Sequence, residues 1–212
     1  MPVDSDSYRP DGSHLDVDAV YWERLDQRDL RDICGITLFE PAGEGLLEFP
    51  FLDQSIRIDI PRRRLHRRAK GRWVAAKDPL LTLATVLYLV GVDAVHPIGR
   101  DIVGVRDLKE GHFFRGPHEL RLQGLLDRYG SDPVGFRRAA EALGGTPVDM
   151  ADAAYRLMPF PRVPIYYLFW VGDDEFAPEI RILFDRSIEA SLQADAIWAL
   201  ANRVSRSLEE AG

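Results

Sequence analysis

One stretch limits the fold more than any other. Residues 79–91, PLLTLATVLYLVG, follow Asp78 and contain no charged side chain. Asp is a good N-cap and Pro suits the first helical position, so Asp78-Pro79 predicts a helix start, with Gly91 as its stop. Leu80, Leu81, Leu83, Ala84, Val86, Leu87, Tyr88 and Leu89 leave this helix almost no polar face. A helix that is apolar all round is buried all round, so the rest of the chain must wrap it. Its apolar run, Leu80 to Val90, is too short for a membrane span, which needs about twenty residues.

The wrapping material is mixed. Ile36–Glu40, Gly45–Phe49 and Ser55–Ile60 read as three short strands of an antiparallel meander, because Ile56, Ile58 and Ile60 alternate with Arg57 and Asp59. Residues 15–33 show helical spacing, as do Pro117–Tyr129 and Pro133–Leu143. Residues 92–116 are loop-like, with strand character at Ile102–Gly104. Ala151–Leu157 alternates weakly, as an edge strand does, with a short helix as the competing reading. Ile165–Val171 (IYYLFWV) is continuously apolar and predicts a strand buried on both faces, with Glu179–Phe184 as its antiparallel partner. A last helix starts near Ala194. The expected fold is α+β: residues 1–14 a disordered arm, and 15–212 a single domain. In it an antiparallel sheet, formed by the N-terminal meander and the C-terminal hairpin, packs on the buried helix and flanking helices.

Composition removes several function classes. The lone cysteine, Cys34, excludes a disulfide framework and any iron–sulfur cluster held by this chain, and it reads as a small buried residue. A net charge of −7 argues against a dedicated nucleic-acid binder. Residues 61–77, PRRRLHRRAKGRWVAAK, carry eight basic residues and no acid, whereas residues 1–60 carry fourteen acids against five bases. The expected arrangement is an exposed basic loop neutralised by acidic neighbours. The polar, acidic residues 1–20 show no signal-peptide pattern, so the expected location is the cytoplasm.

Three groups are candidates for chemistry. Asp173, Asp174 and Glu175 on the 172–178 loop offer oxygen ligands to a hard cation, although a Gly- and Asp-rich turn uses the same residues for geometry. His112, Arg115 and His118, with Phe113 and Phe114, combine imidazole, rings and guanidinium, a set suited to a planar anionic cofactor. Asp185 and His96 are the candidate carboxylate and imidazole for acid–base catalysis. An Asp185–Arg162 ion pair is the plainer expectation for Asp185. A register placing Asp185 opposite Ile165 holds it about 20 Å from the acidic loop. No nucleophile-elbow, P-loop or dinucleotide-binding motif is present.

The run PRVPIYYLFWVGDDEFAPEIRILFDRSI, the PLLTLATVLYLVG helix, the VRDL and GHFF segments and the WERL helix together carry a resemblance. Over residues 18–208 the chain resembles a bacterial and archaeal family known as domain of unknown function 3786. The resemblance implies no established activity. It does imply a setting, since family members look fused to iron–sulfur modules or sit beside corrinoid and one-carbon genes. The expected function is therefore a soluble cytoplasmic accessory protein that binds a small ligand or cofactor, a tetrapyrrole or corrinoid. The alternatives are an enzyme using a carboxylate/imidazole pair, and a protein–protein interaction module.

Overall fold

The computed structural model describes residues 15–99 and 101–212. The arm expected over residues 1–14 lies outside the described residues.

Two short helices open the described chain, α1 (Ala19–Asp26) and α2 (Leu30–Thr37), capped by Asp18 and Asp29. A meander follows: β1 (Glu40–Gly43), β2 (Leu46–Phe51), β3 (Gln54–Asp59), β4 (Arg64–Ala69) and β5 (Arg72–Ala76), antiparallel and in sequence order. The buried helix α3 (Pro79–Gly91) comes next, with Asp78 Oδ1 accepting from Leu81 N at 3.0 Å. Beyond it lie β6 (Ile102–Gly104), three one-turn 3-10 segments, α4 (Gln123–Tyr129) and α5 (Pro133–Ala142). The chain ends with β7 (Thr146–Pro147), β8 (Ala153–Phe160), β9 (Val163–Trp170), β10 (Glu179–Asp185) and α6 (Ala194–Ala211).

The molecule is a single α+β domain, but its strands form two sheets rather than one. The second sheet is antiparallel with order β6-β10-β9-β8-β7. The two sheets meet through aromatic rings. Phe49 of β2 stacks on Phe39 at 4.1 Å and lies 5.7 Å from Phe160 of β8, whose ring stacks on Tyr88 of α3 at 5.1 Å. On its other side α3 packs along α6, which is tied to the second sheet by Tyr167 of β9. The Tyr167 hydroxyl donates to Ala201 O at 2.9 Å and shares a hydrogen bond with Ser205 Oγ at 2.9 Å.

β9 is buried on both faces, as its unbroken apolar run requires. Ile165, Tyr167 and Phe169 face the main core, while Tyr166 and Leu168 join Ala154 in a smaller cluster on the opposite face. Four expectations need correction. The first strand starts only at Glu40, because α2 runs through Thr37 and Leu38 takes a left-handed C-cap conformation (φ 63°). β8 is interior, flanked by β7 and β9. The helix expected from Pro117 begins at Gln123. The basic segment is no loop: it supplies β4 and β5, the last two strands of the meander.

Candidate ligand-binding groove

Between α3 and α4 the chain from Val105 to His118 folds into three 3-10 turns, Val105–Asp107, Gly111–Phe113 and Gly116–His118. Gly111 allows them to close up, since a Cβ there would sit 2.7 Å from Arg106 O and 2.9 Å from Val105 O. The segment is fastened at both ends. Arg186 donates to Asp107 O at 2.8 Å and pairs with Asp101, and Arg121 N donates to Asn202 Oδ1 at 2.9 Å. The Glu189 carboxylate accepts from Lys109 N.

This segment and β10 enclose a groove of about 1140 Å³. The groove exists because β6 has only three residues and pairs only with Leu183, Phe184 and Asp185, leaving the first half of β10 open along that edge. Phe114, Leu120, Leu122, Ile180 and Ile182 give the groove its apolar lining, Arg106, Arg115 and Arg181 its cationic groups, and Asp107, Glu119 and Glu179 its acidic ones. Arg181 is already engaged. It grips Glu179 through two hydrogen bonds, at 2.5 and 2.9 Å, and lies 5.2 Å from the Trp170 ring centroid. Arg106 and Arg115 are exposed and make no ion pair among the described residues. Two uncommitted guanidinium groups beside an apolar surface can grip carboxylates while a hydrophobic body packs against the lining.

Of the residues singled out from sequence, Arg115 lines this groove. His112 lies on the exposed surface of its turn and is not part of the lining. His118 stacks on Phe113 at 4.3 Å and meets the Trp198 ring edge-on at 6.1 Å, so its ring packs the segment against α6. Among the described residues no histidine or cysteine lines the groove. The residues present therefore fit the carboxylates and ring face of a tetrapyrrole but supply no imidazole or thiolate to a central metal.

Asp185 and His96 lie toward the same end of the second sheet without joining. Asp185 is buried and accepts from Gly99 N and, at 3.0 Å, from Ser187 N; it holds the 93–99 loop and caps the turn after β10. The expected Asp185–Arg162 pair does not form. The true register places Phe184, not Asp185, opposite Ile165, and backbone amides satisfy the carboxylate. His96 and Arg162 instead border a small cavity of about 10 Å³ beside Tyr88, with His96 Nε2 and Arg162 Nε buried and without a hydrogen-bond partner; His96 Nε2 lies 3.7 Å from Asp93 Oδ1. That volume suits about one water molecule and no cofactor. Burial pushes the Tyr88 phenol up to about 12, although the Arg162 charge acts in the opposite direction.

The acidic loop works as a turn. Asp173 Oδ1 accepts from Glu175 N and Phe176 N, both at 2.8 Å, and these bonds hold its carboxyl below the usual carboxylate range. Among the described residues no group of three or more His, Cys, Asp and Glu side chains is disposed to hold a metal ion.

Sequence reading missed the open edge of β10 and the part played by Arg181, which depend on a pairing across some 80 residues. The alternation of Glu179 and Arg181 with Ile180 and Ile182 was the available signal.

A family model described as Domain of unknown function (DUF3786) matches residues 29–207. The chain belongs to that family. No curated protein and no solved structure matches it significantly. In this DUF3786 chain the match takes in both sheets, α3 and the whole groove. Among the described residues no helix is long and apolar enough to cross a membrane.

Proposed function

We propose that this DUF3786 protein is a cytoplasmic accessory protein that binds a flat, amphipathic carboxylate, the class to which carboxylated tetrapyrroles belong. The observation that carries the reading is the pair of uncommitted guanidinium groups, Arg106 and Arg115, beside the apolar lining of the 1140 Å³ groove. Ligand sites combine an apolar body with a few placed polar groups, and this groove has that composition. The corrinoid and tetrapyrrole setting implied by the family resemblance points to the same ligand class.

Coproporphyrin is a suitable probe, because it carries four carboxylates on a flat apolar ring. Titrating it into the protein and following its absorption band should give saturable one-to-one binding. Arg106→Ala and Arg115→Ala should each weaken that binding about tenfold, the value of one lost charge-assisted contact. His112→Ala should bind like wild type. Unchanged affinity in both arginine variants would place the ligand elsewhere.

A further inference from the structure

The β4–β5 hairpin carries a charge that the fold does not neutralise. Of the eight basic residues between 61 and 77, Arg62 pairs with Asp59 at 3.1 Å. Arg63, Arg64, Arg67, Arg68, Lys70, Arg72 and Lys77 have no ion pair among the described residues, and no acidic residue occurs between 61 and 77. Of the acidic residues of the meander, Glu48 is taken by Arg57 and Asp59 by Arg62, while Glu40, Glu44 and Asp53 are exposed and form no ion pair with the basic segment.

Geometry makes the surplus a stripe rather than a pocket. Leu65 is buried, so Arg64, His66 and Arg68 point to the solvent side of the sheet. Arg57 and Trp73 lie beside them, the Arg57 guanidinium 4.3 Å from the Trp73 ring centroid. Six residues of strand span roughly 20 Å, the length of about six base-pair steps at 3.4 Å each.

The two turns add a second observation. Arg63 (φ 51°) and Lys70 (φ 49°) both adopt the left-handed conformation. Lys70-Gly71 forms a two-residue hairpin loop with both φ values positive, where Asn-Gly is the favoured pair. At two positions where Gly or Asn would be less strained, the chain carries a cation instead.

We propose that the β4–β5 hairpin binds the phosphate backbone of nucleic acid without reading its sequence. Because β4 is paired with β3 as well as with β5, the stripe lies on the face of a sheet and meets the phosphate backbone rather than base edges, and guanidinium groups are suited to phosphate. A membrane surface fits less well, because the Ala69–Arg72 tip has no large apolar residue to insert. The negative charge of the remaining surface sets which face approaches and does not cancel the stripe, since screening acts over about 10 Å.

The test is fluorescence anisotropy of a labelled mixed-sequence 20-base-pair DNA duplex titrated with the full chain at 50 and 200 mM salt. With about four phosphates neutralised, affinity should fall roughly 150-fold between the two salt concentrations. Replacing Arg64 and Arg68, the two arginines of the solvent face, with Gln should cost about tenfold at 50 mM and flatten the salt dependence. A second variant, Arg63→Asn with Lys70→Asn, removes two cations where the backbone favours Asn, so loss of fold cannot explain its weaker binding. No binding at 50 mM, or wild-type binding by both variants, would overturn the proposal. So would equal affinity for polyglutamate, or capture by phosphatidylserine vesicles with none by DNA.

Discussion

Asp78 and Arg203 join the two central helices through one carboxylate. Asp78 Oδ1 caps α3 through Leu81 N at 3.0 Å, while Oδ2 receives the Arg203 Nε of α6. Arg203 is only 8% exposed and also donates to Ser207 Oγ at 2.7 Å, with its guanidinium 5.6 Å from the Phe51 ring centroid. The residue legible from sequence as a helix cap is thus also the counter-ion of a buried charge 125 positions away. A start signal for α3 doubles as the clamp that sets α3 against α6.

Asp78→Ala should therefore cost more than a cap. Losing a helix N-cap costs about 1 kcal/mol, and removing the closer of the two counter-charges of Arg203, which keeps Glu210 at 3.7 Å, raises the total to about 2–3 kcal/mol. Asp78→Asn keeps the cap acceptor and should fall between wild type and Asp78→Ala. Urea unfolding of the three proteins checks this ordering. A loss near 1 kcal/mol for Asp78→Ala would mean that the ion pair contributes nothing.

Alkaline pH should weaken the fold through its buried phenols. Burial raises Tyr88 to about 12 and raises Tyr167 as well, although the Ser205 hydrogen bond works against the latter shift. In the unfolded chain both ionise near pH 10. Their contribution is complete below pH 10 and is lost above it, as the unfolded state releases protons that the folded state retains. The loss is about 1.4 kcal/mol per pH unit for each phenol until the folded group ionises too. Absorbance at 295 nm should show native protein at pH 11 holding phenols protonated that ionise on adding urea. Simultaneous titration of all seven tyrosines near pH 10 would contradict it.

Elements whose signals are local were legible. Asp78-Pro79 and Asp132-Pro133 mark α3 and α5, and the unbroken IYYLFWV run marks β9. Where the period-2 pattern breaks, strands were missed. β4 buries only Leu65 and carries arginines on both faces, because it lies toward the uncovered edge of its sheet. Thr37, which reads as strand in ITLFE, ends α2 by donating from Oγ1 to Ile33 O at 2.8 Å. Arg115 was legible in the HFFR cluster, whereas the groove wall was not, because it depends on β10 outrunning the three-residue β6.

Two glycines should respond to alanine with opposite signs. Gly35 lies in α2, where a Cβ meets nothing within 4 Å, so Gly35→Ala should stabilise by about 0.5–1 kcal/mol through helix propensity. Gly91 ends α3 with a Cβ position only 2.8 Å from Ser191 O. There the same propensity gain opposes an overpacking cost of about 1–3 kcal/mol, and the clash should prevail because backbone cannot swing aside. Thermal unfolding of both variants tests the balance, and a stabilised Gly91→Ala would show that the 186–193 turn yields readily.

Lys70→Asn should separate stability from binding at a single position. The β4–β5 loop needs a left-handed residue at 70, and Asn adopts that conformation at lower cost than Lys. The substitution leaves the register of the hairpin untouched, so the unfolding free energy should rise by about 0.5–1 kcal/mol. The same change removes one cation from the tip of the stripe. One fewer phosphate contact should flatten the salt dependence of DNA binding by about one unit in the log–log slope. Urea unfolding and anisotropy on one preparation give both quantities. A variant that gains stability and loses slope shows that the lysine is kept for its charge. One that gains stability with an unchanged slope removes Lys70 from the interface and leaves the arginines to carry it.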